Sequence, residues 1–142
     1  MRLAFRIAYF GGRFMGSQIQ PELRTIEGEF IAACVRLGLF TDWHAAGFAS
    51  SGRTDRGVHA LGQVVAFTTE HPGRAIATLN IQLPMDLWCN AYAPVSPGFH
   101  PRYDAQWRTY RYYFRMDGLD LEAMDETAAL FVGTHDFSGF AK

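Results

Sequence analysis

Residues 2–10 alternate in side-chain character, with Leu3, Phe5, Ile7 and Tyr9 on one side and Arg2, Ala4, Arg6 and Ala8 on the other. A period of two sends the sets to opposite faces, so the segment predicts a strand with one buried face. Gly11-Gly12 ends it, and residues 13–24 read as a loop closed by Pro21. Thr25 is then placed to cap a helix in which Ile26, Phe30, Ala33 and Leu37 recur at helical spacing, and Gly38 suits its C-terminal end.

The rest of the chain continues this alternation of elements. Residues 43–50 are a weaker strand candidate, and 50–57 (Ser-Ser-Gly-Arg-Thr-Asp-Arg-Gly) are turn chemistry, hence a loop. Gln63–Thr69 is β-branched and aromatic and predicts a strand. Residues 72–82 predict a short helix with Pro72 in its first turn, and Leu87–Ala93 an extended segment. Pro94, Pro97, Gly98 and Pro101 make residues 94–101 a linker. Residues 107–116 alternate again, with Tyr110, Tyr112, Phe114 and Met116 on one face, and predict a strand. Asp120 can cap a helix carrying Leu121, Met124, Ala128 and Phe131, stopped by Gly133. Two strand–helix–strand passages with a hairpin between them argue an α+β fold built on an antiparallel sheet.

Composition narrows the class. Of 142 residues, 49% are hydrophobic and 19% charged, so a packed core is expected rather than disorder. The net charge of −1 does not announce a nucleic-acid binder. Yet every basic residue except Lys142 is an arginine, whose planar fork suits phosphate and base stacking. Arg102, Arg108, Arg111 and Arg115 fall in one short stretch, either as solvated strand faces or as a contact surface. Cys34 and Cys89 lie far apart in apolar contexts and read as buried small hydrophobes, and neither they nor the five histidines show zinc spacing. The first residues alternate and carry Arg2 and Arg6, unlike a secretory leader, and no apolar run approaches the ~20 residues of a membrane span. A soluble cytoplasmic protein is expected.

The densest chemical signal is Gly52-Arg-Thr-Asp-Arg-Gly-Val-His-Ala60, a glycine-bracketed loop with Asp55 between Arg53 and Arg56. Nearby positive charge favours an ionised carboxylate, and an ionised Asp on a rigid loop can act as nucleophile or base. The same residues also fit an Asx-turn with surface ion pairs.

This loop resembles the signature of the TruA family of tRNA pseudouridine synthases, usually Arg-Thr-Asp-Ala-Gly-Val-His. Other segments resemble that family in the same order. Ala8–Gly12 followed by Phe14–Gln18 is similar to its opening strand and loop, which usually ends in Gly-Trp-Gln. Asn80–Asp86 is similar to Asn-x-x-Leu-Pro-x-Asp, and Phe99–Tyr103 to Phe-His-Ala-Arg-Phe. Tyr110-Arg111-Tyr112 is similar to a Tyr-x-Tyr strand, and Gly133–Phe137 to Gly-x-His-Asp-Phe. The departures are Arg56 for Ala, Ser17 for Trp and Pro101 for Ala.

The resemblance implies a ferredoxin-like sheet with helices on one face over residues 1–100. Residues 101–142 would be a linker and the start of a second, truncated domain. It implies isomerisation of uridine to pseudouridine in tRNA, expected in the anticodon stem-loop, by a homodimer with neither metal nor cofactor. Asp55 would be the nucleophile, and Arg53 and Tyr110 would contact the substrate. Arg102 and Arg56 would touch RNA. His59 is expected in a supporting role, and His135 with Asp136 at a helix-end corner. The chain would be the N-terminal half of a longer protein. The rival expectation is a non-catalytic ferredoxin-like RNA-binding module that stacks bases on an aromatic sheet face.

Overall fold

The computed structural model describes residues 1–141. They form two compact units, Met1–Arg108 and a second beginning at Thr109. The first unit runs β1 (Arg2–Tyr9), a 3-10 turn (Gly11–Arg13), α1 (Ile26–Arg36), β2 (Ala49–Ser50), β3 (Ala60–Thr68), α2 (Pro72–Gln82) and β4 (Leu87–Pro94). Its four strands form one antiparallel sheet in the order β2-β3-β1-β4. That order and succession make the expected ferredoxin-like α+β fold.

β1 lies between two neighbours, with Phe5 opposite Val65 of β3 and Tyr92 of β4. Its apolar set, Leu3, Phe5, Ile7 and Tyr9, is buried and packs with Ile26, Phe30, Ala33 and Cys34 of α1 and Ala75 and Leu79 of α2. Both helices therefore cover the same face. The centre of this core is aromatic: Phe5 and Phe67 stack at 5.6 Å, while Phe30 meets Phe5 edge-on at 6.3 Å. Burial of each such ring contributes roughly 1.5–3 kcal/mol.

Local chemistry sets the helix ends. The Thr25 hydroxyl accepts the Gly28 N–H at 3.2 Å, satisfying one of the free donors of the first turn of α1. Glu27 and Glu29 at that end and Arg36 at the other complement the helix dipole. Pro72 opens α2, where its missing N–H is harmless.

On the opposite face Arg2 is nearly buried. It donates from Nε to the Phe99 carbonyl at 2.9 Å and from Nη1 to the Gly47 carbonyl at 3.0 Å. Burial lowers its pKa. One arginine thus ties the loop before β2 and the turn after β4 to the first strand.

Two strand expectations are corrected. Within 43–50 only Ala49–Ser50 is strand. Asp42 captures the His44 N–H at 2.8 Å, and backbone bonds from Ala46 to Asp42 and from Phe48 to Trp43 curl the segment into turns. Residues 107–116 are not a strand either. Among the described residues no strand pairs with them, and an extended segment without a neighbour leaves its backbone groups to water.

The second unit holds α3 (Leu121–Ala129), capped as expected by Asp120, whose carboxylate accepts the Ala123 N–H at 3.0 Å. The His135 ring lies 2.9 Å from the Val132 carbonyl, and Asp136 accepts the Ser138 N–H, so both serve the corner after the helix. Among the described residues no helix is long and apolar enough to cross a membrane.

Candidate active site

The loop from Ser51 to His59 connects β2 to β3. Its start is fixed by β3 itself. Ser51 N–H donates to the Val64 carbonyl at 2.8 Å, the Ser51 hydroxyl donates to Gln63 Oε1 at 2.9 Å, and Gln63 Nε2 donates to the Gly52 carbonyl. Where this loop rejoins the sheet, the register of β1 on β3 shifts between Ile7 and Tyr9, bringing Ala60 opposite Tyr9. A bulge of this kind re-aims a strand end, and bulges collect beside active sites.

The middle of the loop is held from outside. Thr54 N–H donates to Ser17 Oγ at 2.7 Å, Ser17 N–H donates to the Thr54 carbonyl at 2.9 Å, and the Tyr9 and Thr54 hydroxyls are bonded at 2.8 Å. Asp55–Val58 is a turn closed by the Val58 N–H on the Asp55 carbonyl at 3.2 Å. Gly57, at φ +82°, takes the left-handed position such a turn requires. His59 accepts the Gly11 N–H at Nδ1 over 3.3 Å and sets its ring edge-on to Phe10 at 6.0 Å, so its role here is to hold the two loops together.

Asp55 is exposed at the crest, as are Arg53 and Arg56. Among the described residues no ion pair involves Asp55 and no side chain or backbone donor bonds its carboxylate. Neither the Asx-turn nor the surface ion pairs that the sequence allowed are formed. The carboxylate is left free on a loop whose backbone is pinned.

One loop thus brings Arg53, Asp55 and Arg56 together. Arg102, also exposed, is linked to it through Arg108, which donates from Nη2 to the Arg102 carbonyl at 2.6 Å and from Nε to the Ser51 carbonyl at 3.2 Å. The sequence marked Arg108 only as one of an arginine cluster, and Tyr9, Ser17 and Thr54 as members of motifs without a role. Tyr110 belongs to the second unit, in a segment without regular structure, and is 65% exposed.

Beside the loop lies a groove of about 520 Å³ lined by Phe10, Arg13, Arg24, Pro84, Met85 and Asp86. Within its lining Arg24 donates to Asp86 through two bonds of 3.0 and 2.8 Å, and its guanidinium lies 4.1 Å over the Phe14 ring. The guanidinium holds the Asp86 carboxyl below its ordinary pKa. Among the described residues no group of three or more His, Cys, Asp or Glu is gathered as metal ligands would be.

Along its whole length the chain is similar to proteins named tRNA pseudouridine synthase A. Proteins named tRNA pseudouridine synthase A from Methanosphaerula palustris and Methanoculleus marisnigri are each 60% identical over 142 residues, all of this chain and 51% and 52% of theirs. One of the same name from Thermococcus onnurineus is 49% identical, again over all of this chain and 54% of its own. The chain spans about half the length of the curated relatives it matches. No protein-family model matches it.

Proposed function

We propose that this chain carries the catalytic aspartate of a tRNA pseudouridine synthase, with Asp55 as nucleophile. The observation that carries the reading is Asp55 itself: an exposed carboxylate unused by the fold, on a loop fixed from both sides. The names of the relatives support tRNA as substrate.

In this reading the N1–C1′ bond of a uridine breaks, the base turns, and a C5–C1′ bond forms. The C5 proton leaves and N1 gains one, so atoms and electrons balance without a redox partner or group donor. Asp55 attacks the substrate covalently, and that bond breaks again as the product forms, so the carboxylate is regenerated for the next turnover. The base must first leave its stack, at a cost of a few kcal/mol. Arg53, beside Asp55, takes up the vacated space or its phosphate, and Arg56 and Arg102 offer further charge to the backbone. Tyr110 contacts the flipped base. The sites are those of the anticodon stem-loop, and the working protein is a cytoplasmic homodimer in which residues 101–142 begin a second domain. The 142-residue chain by itself is inactive, since half of a cleft cannot position a substrate.

The rival RNA-binding module needs exposed aromatic rings on the sheet face opposite the helices. In the paired register that face carries Ala4, Arg6, Ala8, Val64, Ala66, Ala91 and Ala93, with Trp88 as its aromatic residue. Small side chains make a poor stacking platform, which disfavours that reading.

Mapping pseudouridine in a tRNA transcript treated with the natural-length protein tests the substrate assignment. New pseudouridine in the anticodon stem-loop is expected, and modification confined to other regions would overturn that part. A paired substitution tests the tyrosine. Tyr110→Phe should lower turnover by about 10²-fold or more, as loss of a proton-moving group does, while Tyr112→Phe stays near wild type. Equally mild effects would remove the Tyr110 hydroxyl from the chemistry.

A further inference from the structure

Every polar group of Thr54 is taken. Its N–H goes to Ser17 Oγ at 2.7 Å, its carbonyl to Ser17 N–H at 2.9 Å, and its hydroxyl to Tyr9 Oη at 2.8 Å. The partners are fully inside the protein, Ser17 at 2% and Tyr9 at 1% exposure. Each is seated on a rigid element. Tyr9 closes β1, one of the two inner strands. Ser17 is joined to α1, its carbonyl accepting the Glu27 N–H at 2.9 Å, while the Gly16 carbonyl accepts that of Ile26 at 3.3 Å. Gly16, at φ +93°, lies so close that a Cβ there would sit 3.2 Å from the Thr54 carbonyl oxygen. The next residue, Asp55, has a free carboxylate.

We propose that Tyr9, Thr54 and Ser17 form a clamp that sets the position of the Asp55 carboxylate, so that Thr54 and Ser17 are positioning residues for the reaction. This rests on the reading of Asp55 as nucleophile. A consecutive Cα lies only about 3.8 Å away, so fixing Thr54 at three points leaves Asp55 little freedom except its own side-chain rotation. Chemistry is sensitive to this, because reacting atoms must be held at about 3–3.5 Å and a 1 Å error can cost about 10²-fold. Burial raises the Tyr9 pKa, keeping its hydroxyl protonated as a partner for Thr54. The clamp also gives Ser17 a defined task at the position where the TruA pattern has tryptophan: a small hydroxyl that fits against Thr54 and accepts its N–H.

The test uses the natural-length protein and separates positioning from folding. Thr54→Val and Ser17→Ala should each lower kcat by about 10- to 100-fold, with KM for tRNA within about threefold and the variants still cooperatively folded at the assay temperature, though unfolding somewhat earlier because a buried partner is stranded. Thr54→Ser keeps the hydroxyl and should retain wild-type kcat. Adding Tyr9→Phe to Thr54→Val should cause no further loss, since both remove the same bond. The clamp is overturned if Thr54→Val keeps kcat within about twofold, if only KM moves, or if Thr54→Ser fails to rescue. Asp55→Asn runs alongside. If it is inactive while Thr54→Val behaves as wild type, the clamp alone fails; if it remains active, the nucleophile assignment and the clamp fail together.

Discussion

Asp55→Asn in the natural-length protein is expected to abolish pseudouridine formation, lowering the rate by at least about 10⁴-fold, while tRNA affinity stays within about threefold of wild type. The asymmetry follows from the structure. Asn has the shape of Asp, and the Asp55 carboxylate holds no hydrogen bond or ion pair among the described residues, so the fold loses nothing. If tRNA is the substrate, its affinity should rest mainly on phosphate contacts, which a neutral amide at the crest of the loop would leave intact. On the proposed mechanism what disappears is the nucleophile, since an amide cannot form the covalent bond that mechanism requires. Stopped activity with retained binding is the combined result to look for, by nucleoside analysis of digested tRNA beside a filter-binding titration. Activity within tenfold of wild type would remove Asp55 from its role.

Gly11→Ala should damage both stability and activity, and Gly12→Ala neither. The backbone of Gly11 runs against the Asp55 loop so closely that a Cβ would overlap the Val58 carbonyl oxygen and sit 2.6 Å from its carbon. These are backbone atoms, which cannot swing aside as a side-chain tip can. The loop must shift, straining the Gly11 N–H bond to His59 and displacing the turn that carries Asp55. Forcing an extra carbon into such a contact costs about 1–3 kcal/mol. The displaced loop should lower turnover by about 10²-fold. At Gly12 a Cβ would meet nothing within 4 Å, so the change should stay within about 0.5 kcal/mol. Urea unfolding of the two variants, with turnover measured on each, makes the comparison. Equal stability and turnover would mean that the two loops are not locked together.

Both predictions depend on features that sequence reading reached unequally. The strand at residues 2–9, the caps at Thr25 and Asp120 and the start of α2 at Pro72 were legible because each rests on neighbours within a few positions. The Arg-Thr-Asp loop was legible as a motif. Its support was not. Ser17 and Thr54 are 37 positions apart, and Arg2 reaches Phe99 across 97, so no periodicity or turn signal could pair them. The stretch 107–116 failed for the complementary reason. Alternation predicts a face, but a strand also needs a neighbouring backbone, and none pairs with it among the described residues. In 43–48 the local signal was present but outweighed, because Asp42 can bond the His44 N–H and start a turn that strand-like residues then follow.

The central claim is that a chain with this loop exchanges a carbon–nitrogen glycosidic bond for a carbon–carbon one in tRNA. Its most direct measurement is tritium release from tRNA labelled at C5 of uridine, by the purified natural-length protein. The account predicts many turnovers per protein, with pseudouridine appearing in step with the released tritium and unlabelled tRNA unchanged in mass. Binding of the same tRNA without tritium release would contradict it and leave an RNA-binding module in its place.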